Sequence, residues 1–113
     1  MNAENVMALC IMSFVALIFI IIGISQYKSK EPAGFYSGEK PPKEEELTDV
    51  RAWNKGHGAM WIRYGVMMIV AGVCGIFIKN ETLYAVIMFI ILIGGLIGMF
   101  VGHHKFVKMY WRR

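Results

Sequence analysis

LYAVIMFIILIGGLIGMFV, residues 83–101, is a run of nineteen residues without a charge. An α-helix rises 1.5 Å per residue, so about 20 residues cross a hydrocarbon core of roughly 30 Å. This run is long enough to span a bilayer by itself. Immediately upstream, the short polar segment Lys79-Asn80-Glu81-Thr82 separates it from MWIRYGVMMIVAGVCGIFI, residues 60–78. That second run is equally long and its only charge is Arg63. A third, VMALCIMSFVALIFIIIGI at residues 6–24, is uncharged and has Ser13 as its only hydroxyl.

Three soluble helices this apolar would leave only residues 25–59 and a short tail to face water. The whole chain is 57% apolar, against roughly 45–50% for a soluble domain. Composition also excludes disorder, a disulfide-stapled module and a collagen-like fibre, since there are two cysteines and three prolines. The prediction is a single all-α integral membrane domain with three transmembrane helices. The spans are residues 6–24, 60–78 and 83–101, joined by a loop at 25–59 and followed by a tail at 102–113. The first run reads as an uncleaved anchor: residues 1–5 carry no Lys or Arg, no small-x-small cleavage site follows it, and Gln26, Tyr27, Lys28 and Lys30 do.

Orientation follows from the basic residues. Three spans put the N-terminus and the 79–82 connection on one face, where Lys79 stands alone. The other face holds Lys28, Lys30, Lys40, Lys43, Arg51, Lys55, Lys105, Lys108, Arg112 and Arg113. The expectation is a multi-pass cell-membrane protein with its N-terminus outside and its long loop and C-terminus in the cytoplasm. The net charge of +4 then reflects topology and attraction to anionic lipid headgroups. Nothing resembles a nucleic-acid module, and no nucleic-acid partner is expected.

The loop divides in two. Residues 28–43 hold Pro32, Gly34, Gly38, Pro41 and Pro42 and read as turn-rich. From Pro42 onward, Glu44, Glu45 and Glu46 suit the first turn of a helix, where the macrodipole favours carboxylates. Leu47, Val50, Trp53 and His57 then recur on one helical face. These signals predict a short amphipathic helix on the cytoplasmic surface between the first two spans, with Gly56 and Gly58 letting the chain bend into the membrane.

Gly38-Glu39-Lys40-Pro41-Pro42, then Trp53-Asn54-Lys55-Gly56-His57, then a span with glycines seven apart, resembles the SdpI-type family of small bacterial membrane proteins. The family pattern is Gly-x-Arg-Thr-Pro, then Trp-x-Lys-x-(His or Asn)-Arg, then a transmembrane helix. Gly38, Pro42, Trp53, Lys55 and His57 match it; Lys40 stands for Arg, Pro41 for Thr and Gly58 for Arg. The resemblance covers about residues 34–75. It implies a relative of membrane immunity and signalling proteins that protect against a secreted toxic peptide.

Candidate chemistry is sparse. His57, His103 and His104 fall at one membrane level, but adjacent helical residues point about 100° apart and no Cys or carboxylate accompanies them. They read as interfacial anchors, with no metal or other cofactor expected. Arg63 is the one intramembrane charge. Its stem either snorkels to the headgroups or contacts Glu46 or Asp49 from the loop helix. No Asp or Glu lies in any span, which argues against proton-coupled exchange. Cys10 and Cys74 read as free thiols in the apolar layer. No nucleophile–base pair, phosphate loop or paired carboxylates appear, so no catalytic residue and no enzyme are expected.

Small residues mark helix contacts, because close backbone approach drives association in lipid. Gly65 and Gly72, in register with Gly58, and Gly94, Gly98 and Gly102, four apart, are expected to pack the second span against the third. A homodimer through the third span is the sharper reading. The candidate functional loop is Gly38, Lys40, Pro42, Trp53, Lys55, His57 and Arg63. Two functions follow: a non-enzymatic inner-membrane protein for immunity to, or sensing of, a membrane-active peptide, or an accessory subunit or oligomeric permeation element of a membrane complex. A peptide or protein partner is implied by both.

Overall fold

The structure, a computed structural model, describes residues 3–34 and 40–112. Helix α1 runs Ala3–Lys28, a 3-10 turn Glu44–Glu46, helix α2 Val50–Cys74 and helix α3 Glu81–Tyr110. All three helices are long and apolar enough to cross a membrane. They form a rod of 53 × 21 × 21 Å, longer than the roughly 40–45 Å of a bilayer with its headgroups. Large apolar side chains face outward from it: Phe14 and Ile21 on α1, and Phe89 and Val101 on α3, are each more than half exposed. Surface of this kind is stable against lipid and costly against water.

Helix α2 is central. It packs closely along α1 and more sparsely on α3. Its buried face carries Met60, Tyr64 and Met68, which meet Ala16 of α1 and Met99 of α3 in one core cluster. Phe19 of α1 stacks on Tyr64 at 5.5 Å between ring centroids and tilts on Trp61 at 5.3 Å. The Tyr64 hydroxyl donates to the Leu92 carbonyl at 2.9 Å, tying α2 to α3 within the apolar layer.

The expected α2–α3 glycine seam is corrected. Gly58, Gly65 and Gly72 return to one helical face every seven residues, and that face seats α1. A Cβ at Gly58 would lie 2.5 Å from the Gly23 carbonyl oxygen, one at Gly65 2.8 Å from that of Ala16, and one at Gly72 3.0 Å from the Leu9 side chain. On α3, Gly95 and Gly102 are the close-approach residues, against Tyr64 and Met60 respectively, whereas Gly94 and Gly98 have nothing within 4 Å of where a Cβ would stand.

Helix boundaries also differ from the sequence expectation. The acidic run Glu44–Glu46 is a 3-10 turn, and α2 starts at Val50, capped by Asp49, whose carboxylate accepts from the Ala52 amide at 3.0 Å. Leu47 precedes α2, while Val50, Trp53 and His57 belong to its first turns. The helix runs without a break through Gly56 and Gly58 into the apolar block. It stops at Cys74, and turn bonds such as Phe77 amide to Cys74 carbonyl close it. Asn80 caps α3 by accepting from the Leu83 amide at 3.0 Å. That helix continues nine residues past the expected end of its span, so most of the expected tail is helical.

Candidate functional site

At the end of the rod where the 25–59 loop lies, residues from every part of the chain close into a buried cap. Trp53 and His57, one turn apart on α2, are both 0% exposed, as is Asn54 beside them. Each polar atom of Asn54 is used. Its Oδ1 accepts from the Ala33 amide at 2.8 Å, and its Nδ2 donates to the Ser29 and Glu31 carbonyls at 3.0 and 2.8 Å. The Trp53 indole donates to the Ala33 carbonyl at 2.9 Å. Two adjacent side chains of α2 thus fix residues 29–33, the stretch that leaves α1. Without these side chains the amide and carbonyl of the buried Ala33 would be unsatisfied, at about 1–3 kcal/mol each.

His57 joins α2 to α3. Its Nδ1 stands 2.8 Å from the Trp53 carbonyl, which can only accept, so Nδ1 carries the proton. In the neutral ring Nε2 is then an acceptor. His103 Nδ1, 2.8 Å away, supplies the hydrogen. The result is a directed chain from His103 to His57 to the backbone. Rings enclose it: Trp53 lies 4.2 Å from His57 and 5.7 Å, edge-on, from Trp111, while Phe106 lies 5.2 Å from His57. Gly56 is where Phe106 comes down on α2, since a Cβ there would lie 2.6 Å from the ring. Burial of that aromatic surface offsets the roughly 1 kcal/mol that a mid-helix glycine costs.

The C-terminal end of α3 is strapped to the loop. Thr48 donates to the Tyr110 carbonyl at 2.8 Å, and the Arg112 amide donates to the Glu46 carbonyl at 2.7 Å. Leu47 and Trp111 thereby form an isolated antiparallel bridge. The Glu46 carboxylate accepts from the Lys43 amide at 3.0 Å and from the Trp111 indole at 3.3 Å. The Lys43 amide first, and then the Trp111 indole, hold the Glu46 carboxyl below the usual glutamate range.

The cap does not gather all the candidate residues. Trp53 and His57 are at its centre, Pro42 is buried and Lys40 is exposed. Lys55 is half-buried and places its ammonium 5.6 Å from the Tyr27 ring centroid. Gly38 lies outside the described residues. Arg63 is exposed, and the proposed contact with Glu46 or Asp49 is replaced by other partners: Glu46 binds Lys43 and Trp111, and Asp49 caps α2. His103 comes to His57, whereas His104 faces outward. Among the described residues no three His, Cys, Asp or Glu side chains group as metal ligands. Cys10 and Cys74 are free thiols on the exposed surface of the rod.

Asn54, Trp111 and Phe106 are structural keys that sequence reasoning missed. A signal existed for Asn54, which is a polar residue between Trp53 and the apolar block. Trp111 and Phe106 are aromatics in an otherwise basic tail, and their spacing alone names no partner. Outside the cap, Tyr27, Lys28, Lys30 and Arg51 border a recess of about 500 Å³ at the loop surface. No family model, curated protein or solved structure matches the chain.

Proposed function

We propose that the protein is a small multi-pass bacterial inner-membrane protein that acts without catalysis, in immunity to or sensing of a membrane-active peptide. The resemblance of residues 34–75 to the SdpI-type family supplies the class of function. The observation that carries the reading is the fixing of the loop: Trp53 and Asn54 bind the 29–33 backbone, and residues 46–48 bind the end of α3. A loop held this firmly presents a defined surface, which a mere topological tether has no need of. On the proposed orientation this surface is cytoplasmic, with the amphipathic first turns of α2 at headgroup level. Lys28, Lys30 and Arg51 form a basic rim there, suited to anionic lipid and to an acidic segment of a partner. The test is survival of sensitive cells challenged with secreted membrane-active peptides, with and without the chain. Protection lost on replacing residues 40–48 by a flexible linker of equal charge, with membrane insertion retained, supports the reading; retained protection removes the loop from it.

A second reading, an accessory or oligomeric subunit, is favoured by one observation. A Cβ at Gly94 or Gly98 would meet nothing within 4 Å among the described residues, which leaves that stretch of α3 open to a partner. A stable foreign partner, or a defined oligomer isolated in mild detergent, would favour it.

A further inference from the structure

Between α2 and α3, on the side away from α1, the sparse packing opens into a groove of about 240 Å³. Met60 and Met67 border it from α2 and Gly98 and Met99 from α3, with Tyr64 lining it and Arg63 at its edge. The groove exists because Gly98 has no side chain, and a Cβ there would meet nothing within 4 Å. Gly95, one turn away, also lines the groove but stands closer to α2: its Cβ position lies 2.5 Å from the end of Met67 and 2.6 Å from the Tyr64 ring. From Met60 to Met67 the groove follows the α2 axis for about 10 Å, the direction in which an acyl chain lies. Thioethers suit such a wall, because methionine is flexible and polarizable and adapts to an irregular apolar occupant.

Charge decides which amphiphile fits. Arg63 is the only charge in the three apolar blocks, is exposed at the groove, and has no ion-pair partner among the described residues. A guanidinium recognises phosphate with two parallel hydrogen bonds. None of the three blocks holds Asp or Glu, so a cationic choline or ethanolamine head would find no counter-charge at this depth. Farther toward the cap, Lys105 and Lys108 on α3 extend the positive field. We propose that the groove binds one anionic phospholipid, its phosphate on Arg63 near the Met60 end and one acyl chain laid along Met67 and Met99 beside Gly98. The site is independent of the immunity reading and requires only that the helices stand in a bilayer.

Native mass spectrometry of the full chain in mild non-ionic detergent tests it, with phosphatidylglycerol and phosphatidylcholine of identical acyl chains as probes. The expected result is one retained phosphatidylglycerol per chain, preferred about tenfold over phosphatidylcholine, the size of one charge-assisted contact. Arg63→Gln should abolish the preference and Arg63→Lys should restore part of it. Gly98→Leu should remove the retained lipid of either kind without lowering the melting temperature. Lys79→Gln, exposed in the connection between α2 and α3 at the other end of the rod, should change nothing. Equal binding of the two lipids by the wild type, or an unchanged preference in Arg63→Gln, overturns the proposal. So does a dimer that Gly98→Leu converts to monomer with lipid retention unaltered, since a second copy of α3 would then occupy the groove. Should Gly98→Leu fail to fold, the Arg63 pair of variants decides alone, because that side chain is exposed.

Discussion

His57 Nε2 and His103 Nδ1 stand 2.8 Å apart, although 46 residues separate them along the chain. This contact joins two helices where the apolar packing between them gives way to polar groups. Removing His103 leaves a buried imidazole nitrogen without its donor, which costs about 1–3 kcal/mol. His103→Ala should therefore lower the melting temperature in detergent, while His104→Ala, on the exposed face, should leave it unchanged. Equal melting of the two variants would show that the pair does not hold the cap.

Trp53 and His57 are wholly buried, so their truncation acts on folding as well as on any recognition. Trp53→Ala should cost about 3–5 kcal/mol through the cavity it leaves and reduce the amount of protein in the membrane. Trp53→Phe keeps most of the ring but loses the bond to Ala33. Normal accumulation of Trp53→Ala would contradict the packing described for the cap.

Asn54 holds three backbone groups of residues 29–33 at once. Asn54→Leu should free that stretch and make Lys28 and Lys30 sensitive to trypsin under conditions where the wild type resists. Peptide mapping of the digest gives the answer, and an unchanged pattern would mean the stretch is held by other means.

Glycine substitutions should separate by helix face. Gly58→Leu and Gly65→Leu drive a side chain into α1 and should unfold or misassemble the protein. Gly94→Leu, facing open space, should melt like the wild type. Thermal scans of the three purified variants check the ranking.

Glu46 should confer a pH dependence on the strap. Its carboxyl is held below the ordinary glutamate range in the folded chain, so the ionised form is the one that folding favours. That contribution is complete above the ordinary range and disappears as pH falls through the lowered folded value. The Trp111 indole N–H resonance, followed by NMR on acidification, should shift with that transition. Glu46→Gln should remove the transition, and a Trp111 signal that titrates identically in both proteins would refute the assignment.

Much of the fold is legible because an apolar block is a minimum length for a helix that must cross lipid. Residues 6–24 and 83–101 announce α1 and α3, but polar residues such as Lys28 and Lys105 continue both helices at no cost in water. Gly56 and Gly58 look like a hinge in the sequence, yet they lie within α2. Their lack of a side chain is what lets Phe106 and Tyr27 come close. Seven-residue glycine spacing defines a face but not the neighbour it meets, so α1 and α3 were indistinguishable as partners of Gly65. The cap was half legible. His57 and His103 share a level by simple counting, whereas the strap of Trp111 onto Leu47 depends on long-range backbone pairing that no local pattern encodes.

That strap has a consequence for biosynthesis. Residues 46–57 leave the ribosome well before residues 103–112, yet their enclosure is completed by them. Until α3 has been inserted, Trp53 and His57 lack the rings of Phe106 and Trp111, and the loop lacks its backbone partners. The nascent chain must therefore wait in the membrane with an aromatic and imidazole patch open at its surface. A quality-control protease has that interval in which to recognise an arrested or truncated product.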